Sequence, residues 1–142
     1  MQEPEEVWNG IIDRASSQGI EKLSPHERTI YFVNWYLTDY EGGGLSGFLY
    51  NVSPVQDVHS SWVELRSVAD AVEEVGGSIS TEILRDVAQH VERVDVGETS
   101  TWEEFWNAVV PEGLLETAEL RLDAEVPVLW EMLEQFTRRH FA

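Results

Sequence analysis

Apolar residues recur along most of the chain at intervals of three or four positions, which is the spacing of one face of an α-helix. No run of residues alternates apolar and polar positions in the manner of a half-buried strand. The pattern therefore predicts an all-α protein of about six to eight helices in one domain, residues 1–142. The predicted helices have their apolar faces within residues 7–15, 30–40, 62–72, 83–91, 105–109, 115–122 and 129–136.

The second predicted helix has the clearest start and the most apolar composition. Ser24 can accept a hydrogen bond from the first turn, Pro25 suits the first helical position, and Glu27 follows the cap by three residues, as in a capping box. Residues 30–40 are apolar on nearly every side, so neighbouring helices are expected to bury this one. We therefore expect it to be the central helix of the fold.

Three consecutive glycines follow the central helix and predict a corner. Gly42, Gly43 and Gly44 permit positive φ, so the chain should change direction sharply there. A short helix through Phe48 is expected to follow. Farther along, Pro127 either kinks one long C-terminal helix or starts a new one.

The composition limits the class of protein. A chain of 142 residues, 42% of them hydrophobic, is long enough to bury one sizeable core. The absence of cysteine excludes disulfides, thiolate nucleophiles and thiolate metal ligands. The N-terminus has no basic segment followed by an apolar one, and nowhere do about 18 apolar residues run together. A cytoplasmic protein that does not enter membranes is expected.

The charge of the chain is strongly negative. Asp and Glu number 27 against nine Lys and Arg, which gives a formal net charge of -18. Long-range repulsion therefore opposes direct binding to nucleic acid or to anionic lipid, and a basic protein partner is favoured. The alternative is that the charge only aids solubility, or reflects an acidic proteome in the source organism.

The acidic residues concentrate in the C-terminal third. Ten of them lie between Glu98 and Glu134, against the single basic Arg121. Carboxylates three or four residues apart on one helix give about one charge per 5 Å, whereas duplex DNA gives about one per 1.7 Å, so two adjacent helices or a dimer would be needed to approach DNA. The predicted partner-binding surface comprises Glu103, Glu104, Glu112, Glu116, Glu119, Asp123, Glu125 and Glu131.

Few residues suggest a chemical site. The four histidines are His26, His59, His90 and His140. They are too far apart in sequence for the spacing of a metal-binding helix, and residues 42–47 lack the lysine and the preceding strand of a phosphate-binding loop. No catalytic residue, metal or cofactor is predicted, and we expect a non-enzymatic protein.

The segment at residues 42–51 reads Gly-Gly-Gly-Leu-Ser-Gly-Phe-Leu-Tyr-Asn. It resembles the Asn-Gly-Gly-Phe-x-Gln-Phe-Phe-x-Asn-like segment that follows a long helix in a family of bacterial acidic DNA-mimic proteins. Gly42 and Gly47 depart from that pattern, because they stand where it has Asn and Gln. With the flanking helices, the similarity covers about three-quarters of the chain. The positions that match the family segment are Gly43, Gly44, Phe48 and Asn51.

This resemblance implies a helical, non-enzymatic protein whose acidic surface imitates DNA for a transcription regulator, alone or as a homodimer. The four matching positions are then a structural corner. Two alternatives remain open. One is an immunity protein that neutralises a basic nuclease toxin. The other is a small-ligand binder or enzyme at the glycine corner, built from Ser46, Tyr50, Asn51 and His59.

Overall fold

The computed structural model describes residues 2–52, 58–93 and 114–141. These residues form five α-helices and one 3-10 turn and contain no strand, so the all-α prediction is confirmed. The α-helices are α1 (Pro4–Gln18), α2 (Pro25–Val52), α3 (Val58–Val75), α4 (Ser78–Arg93) and α5 (Leu114–Phe141), and the 3-10 turn is Ile20–Lys22.

Five helices are fewer than the six to eight that were predicted. The short helix expected after the glycines is joined to α2 across a kink at Gly43 and Gly44. In addition, α5 runs through Pro127 as one helix, so this proline does not start a new one. Pro127 is exposed, and so is Asp123, whose carbonyl loses its helical donor at the proline. The helix predicted around residues 105–109 lies outside the described residues.

Helix α2 lies at the centre of the fold. It packs against α1, α3 and α5, while α4 packs against α3 and α5. The first arm of α2, residues 25–42, is buried on several sides through Ile30, Val33, Tyr36 and Leu37. The other helices contribute fully buried side chains to the same core, among them Ile11, Leu65, Leu84, Leu122, Leu129 and Leu133.

The two longest helices, α2 and α5, have 28 residues each, which is about 42 Å of helix. Only α5 runs that length without a break, because α2 folds back at Gly43 and Gly44, and α5 carries charged residues along its whole course. Among the described residues, no helix is long and apolar enough to cross a membrane.

The predicted capping box at the start of α2 is confirmed. The Ser24 N–H donates to Glu27 Oε1 at 2.9 Å, and the Glu27 N–H donates to Ser24 Oγ at 3.3 Å. The second oxygen of Glu27 pairs with Arg14 of α1, which ties two helices together. Burial raises the pKa of Glu27, but the Ser24 N–H and Arg14 outweigh it and hold that pKa below its ordinary value.

Replacing Ser24 with alanine removes one of the two capping hydrogen bonds and should lower the free energy of unfolding by about 1 kcal/mol. Urea denaturation followed by circular dichroism measures this change. Ser16→Ala in α1 is the control, because Ser16 is exposed and no hydrogen bond to it is found in the described part of the chain. Equal effects of the two substitutions would contradict a stabilising cap.

Candidate protein-interaction surface

Helix α2 folds back on itself at the glycine corner. Gly44 has φ 66° and ψ -164°, a region that is essentially restricted to glycine. The ring centroids of Trp35 and Phe48 are 5.7 Å apart. Thirteen residues of straight helix would separate them by about 20 Å, so the second arm, residues 45–52, must return along the first.

Aromatic and polar contacts lock the two arms together. Phe48 is fully buried, and its ring meets the ring of Tyr36 edge-on at 5.0 Å. The Asn51 side-chain amide donates to Asp39 Oδ2 at 3.1 Å, and the same oxygen accepts a hydrogen bond from Trp35 Nε1 at 2.7 Å. The corner is thus held closed by Phe48 in the core and by Asn51 at the surface.

The residues of the alternative ligand site are only partly described. Ser46 is half-buried and Asn51 is exposed on the second arm. The side chains of Tyr50 and His59 lie outside the described part of the structure. The ligand-site alternative therefore stays a prediction.

Two carboxylates of α5 hold the corner in place. Glu119 Oε1 accepts a hydrogen bond from the Leu45 N–H at 3.1 Å, at the start of the second arm. The Tyr40 hydroxyl donates to Asp123 Oδ1 at 2.5 Å and approaches the Glu119 carbonyl oxygen at 3.3 Å. Burial and the neighbouring Asp123 carboxylate raise the pKa of Tyr40, so its hydroxyl keeps the proton that it donates.

A third carboxylate of α5 caps another helix. Glu125 Oε2 accepts from the Ile79 N–H at 2.9 Å, and Glu125 Oε1 accepts from the Ser80 N–H at 2.7 Å. These donors belong to the first turn of α4, where the helix dipole also favours a negative charge. Ser80 is fully buried, and its hydroxyl lies 2.9 Å from the hydroxyl of Tyr36 in α2. Glu125 therefore joins α5 to α4 beside the core.

The eight carboxylates predicted to bind a partner fall into three groups. Glu103, Glu104 and Glu112 lie outside the described residues. Glu119, Asp123 and Glu125 make the hydrogen bonds given above, within the protein. Glu116 and Glu131 are exposed, with no hydrogen bond or ion pair found to them in the described part of the chain. Binding of a partner by this set stays a prediction.

Residue spacing along α5 distinguishes the carboxylates that bond within the protein from those that are exposed. Glu125 follows the buried Leu122 by three residues and precedes the buried Leu129 by four, so it lies at the edge of the inward face. Glu119 likewise precedes Leu122 by three. Glu131 lies on the opposite side, in line with the exposed Ala124, which it follows by seven.

The outer side of α5 carries a row of exposed carboxylates. Glu116, Asp123 and Glu134 lie within about 20° of one another around the helix axis, and Glu131 lies beside them. Glu41 of α2 reaches the same side of α5, because its Oε1 accepts a hydrogen bond from Trp130 Nε1 at 2.6 Å. We call these five residues the outer acidic row.

Many cations of the chain are already paired. Arg85 contacts Glu73 at 2.7 Å and Asp70 at 2.9 Å. Arg121 pairs with Glu82 of α4 at 3.1 Å, and Arg138 lies 3.6 Å from Glu3 of α1. Arg14 pairs with Glu27. Each of these cations is therefore paired with a carboxylate outside the outer acidic row.

Two histidines meet although 114 residues separate them in sequence. The rings of His26 and His140 have centroids 3.8 Å apart, with Phe136 packed against both. Desolvation and the neighbouring His26 lower the pKa of His140. Sequence spacing could not show this pair, because α2 and α5 meet only in the folded protein.

A surface groove of about 400 Å³ lies between the corner and α5, lined by Tyr40, Glu41, Gly44, Glu119, Asp123, Val126 and Pro127.

Neither the histidine pair nor the glycine corner provides a recognisable metal site. Within residues 2–52, 58–93 and 114–141, no group of three or more His, Asp or Glu side chains could hold a metal ion.

These features define an acidic all-α protein that presents carboxylates on the outer side of its C-terminal helix. The chain belongs to the DMP19-like protein family, whose model matches residues 21–140. The matched range includes the glycine corner and nearly all of α5 and begins after α1. No curated protein and no solved structure matches the chain significantly.

Gly44→Ala should lower the free energy of unfolding by about 2 kcal/mol, since alanine rarely adopts these dihedral angles. A Cβ at Gly44 would also lie 2.7 Å from Glu119 Oε1. Gly42→Ala is the matched control, because Gly42 is helical and nothing lies within 4 Å of an added Cβ. It should raise stability by about 0.5 kcal/mol. Thermal and urea denaturation measure both changes, and a neutral Gly44→Ala would refute the constraint.

Glu125→Ala should lower the free energy of unfolding by about 2 kcal/mol, because the Ile79 and Ser80 N–H groups lose their acceptor. Glu131→Ala, on the exposed side of the same helix, should change it by less than about 0.5 kcal/mol. Urea denaturation compares the two. A similar loss for both variants would show that Glu125 contributes nothing specific.

Proposed function

We propose that this protein is a non-enzymatic, acidic protein-binding module of the DNA-mimic type, which occupies the basic DNA-reading face of a transcription regulator. The observation that carries the proposal is the outer acidic row on α5, whose charges are exposed while many cations of the chain are paired elsewhere. Membership of the DMP19-like family supports the same function.

The charges of the outer acidic row are more widely spaced than those of DNA, so imitation of DNA also requires charges from neighbouring helices. Glu116 and Asp123 are seven residues apart, which is about 10 Å of helix and therefore sparser than the charges of a phosphate backbone. Neighbouring helices add further charges. Glu5 and Glu6 are exposed in the first turn of α1. That helix lies against the C-terminal half of α5, where Trp8 Nε1 donates to Thr137 Oγ1 at 2.8 Å.

The proposed mechanism of binding is electrostatic attraction followed by displacement of DNA. A basic face that evolved to contact phosphates would be drawn to the negative surface over about 10 Å at moderate salt. Once bound, the protein would block access of the DNA to that face. The same surface would also suit a basic nuclease, so the immunity-protein alternative predicts the same salt dependence but a different partner.

The test combines binding with charge-neutralised variants. The surface variant is Glu116→Gln with Glu134→Gln, and the matched control is Asp13→Asn with Glu21→Gln, which changes net charge equally at exposed carboxylates of α1 and the 3-10 turn. Binding to a panel of DNA-binding regulators and basic nucleases from the source organism would be measured by calorimetry across salt concentrations, with operator DNA as competitor.

Affinity should fall steeply with salt, operator DNA should compete, and the surface variant should bind about threefold to tenfold more weakly than the control. Absence of binding at low salt, binding that is indifferent to salt, or equal effects of the two variants would contradict the proposal. Binding of a nuclease and of no regulator would favour the immunity-protein alternative.

A further inference from the structure

The outer side of α5 also carries an apolar stripe. Leu120 is 76% exposed and Val128 is 44% exposed, and they are the large apolar side chains that stand out as exposed in the described residues. Ala124, also exposed, lies midway between them. The three positions are four residues apart, so they form one nearly straight stripe about 12 Å long.

This stripe is not an edge of the core. Leu122, Leu129 and Leu133 are fully buried on the opposite side of the same helix. The stripe therefore exposes apolar surface to solvent without contributing to the packing of α5. Apolar positions spaced i, i+4 on one helix face are also the anchors by which a helix packs against a partner.

Charge surrounds the stripe unevenly. Glu116 and Asp123 flank it on the side of the outer acidic row, and Glu131 lies one turn beyond Val128 on the same side. On the other side lies Arg121, which is paired with Glu82. A partner seated on the stripe would therefore bury apolar side chains while placing its flank beside exposed carboxylates.

We propose, resting on the function proposed above, that the stripe is the seat for an amphipathic helix of the partner, whose apolar ridge is bordered by Lys or Arg. An i, i+4 ridge on that helix packs against the i, i+4 stripe of α5, and its cations face the outer acidic row. DNA-reading helices carry both kinds of group, because they contact phosphates with cations and thymine methyl groups with apolar side chains.

A second copy of this chain is a poorer occupant. A two-fold contact centred on Ala124 would bring Glu116 of each copy close to Glu131 of the other. Those like charges would repel each other at the contact. Complementarity of charge therefore favours a basic helix over a copy of the protein.

The test uses two synthetic peptides of Leu and Lys, each about 18 residues long, which is five helical turns. One places its leucines at i, i+3 and i+4 on one face, and the other has the same composition scrambled so that no apolar face forms. Fluorescence anisotropy would measure binding to the wild-type protein and to the variant Leu120→Gln with Val128→Thr. Glu116→Gln with Glu134→Gln serves as the charge variant.

The amphipathic peptide should bind the wild-type protein about tenfold more tightly than the scrambled one, and the stripe variant should abolish that difference. The charge variant should weaken both peptides alike. The inference is overturned if both peptides bind the wild-type protein equally, or if the stripe variant keeps the preference.

Two further measurements identify other occupants of the stripe. If the stripe variant unfolds more readily than the wild type, the stripe packs within the chain, and the inference is wrong. If sedimentation shows that the wild-type protein is a dimer and the stripe variant is a monomer, the stripe joins two copies, and the inference is also wrong. Salt-sensitive binding of both peptides without preference would overturn only this inference, whereas no binding of either at low salt would contradict the proposed function too.

Discussion

The glycine corner at Gly44, where Glu119 of α5 accepts a hydrogen bond from the Leu45 N–H, is the constraint on which much of this fold depends. Gly44 adopts backbone angles that other residues avoid, and these angles let α2 reverse direction. The reversal brings Phe48 into the core and exposes the Leu45 N–H to the Glu119 carboxylate. Helix α5 is thereby fixed across the corner, and the orientation of α5 determines which of its side chains face solvent.

The carboxylates of α5 consequently have two roles. Glu119 and Asp123 accept hydrogen bonds from the corner of α2, and Glu125 accepts them from the first turn of α4. Glu116, Glu131 and Glu134 are exposed, with no partner found in the described residues. The first role stabilises the protein, because capping carboxylates complete the first turns of other helices. The second set, with Asp123 at its border, is the one that we propose attracts a cationic partner.

Sequence reasoning succeeded where the determining interactions are local. The all-α class follows from apolar spacing, and the capping box of Ser24 and Glu27 follows from residues three positions apart. The described residues have fewer helices than predicted, because the short helix expected after the glycines is joined to α2 across the kink at Gly43 and Gly44. The helix expected around residues 105–109 lies outside them. The inward roles of Glu119 and Glu125 depend on partners 74 and 46 residues away in sequence. A helical projection of α5 could have flagged both residues as bordering its buried face, but it could not have named their partners.

The division of the α5 carboxylates is the central claim, and single conservative replacements along the helix test it most directly. The free energy of unfolding would be measured in urea for Glu116→Gln, Glu119→Gln, Asp123→Asn, Glu125→Gln, Glu131→Gln and Glu134→Gln. We expect two separate groups: losses of about 1 kcal/mol or more at positions 119, 123 and 125, and changes within about 0.5 kcal/mol at the other three. A continuous spread, or a loss at Glu116 as large as that at Glu119, would contradict the division.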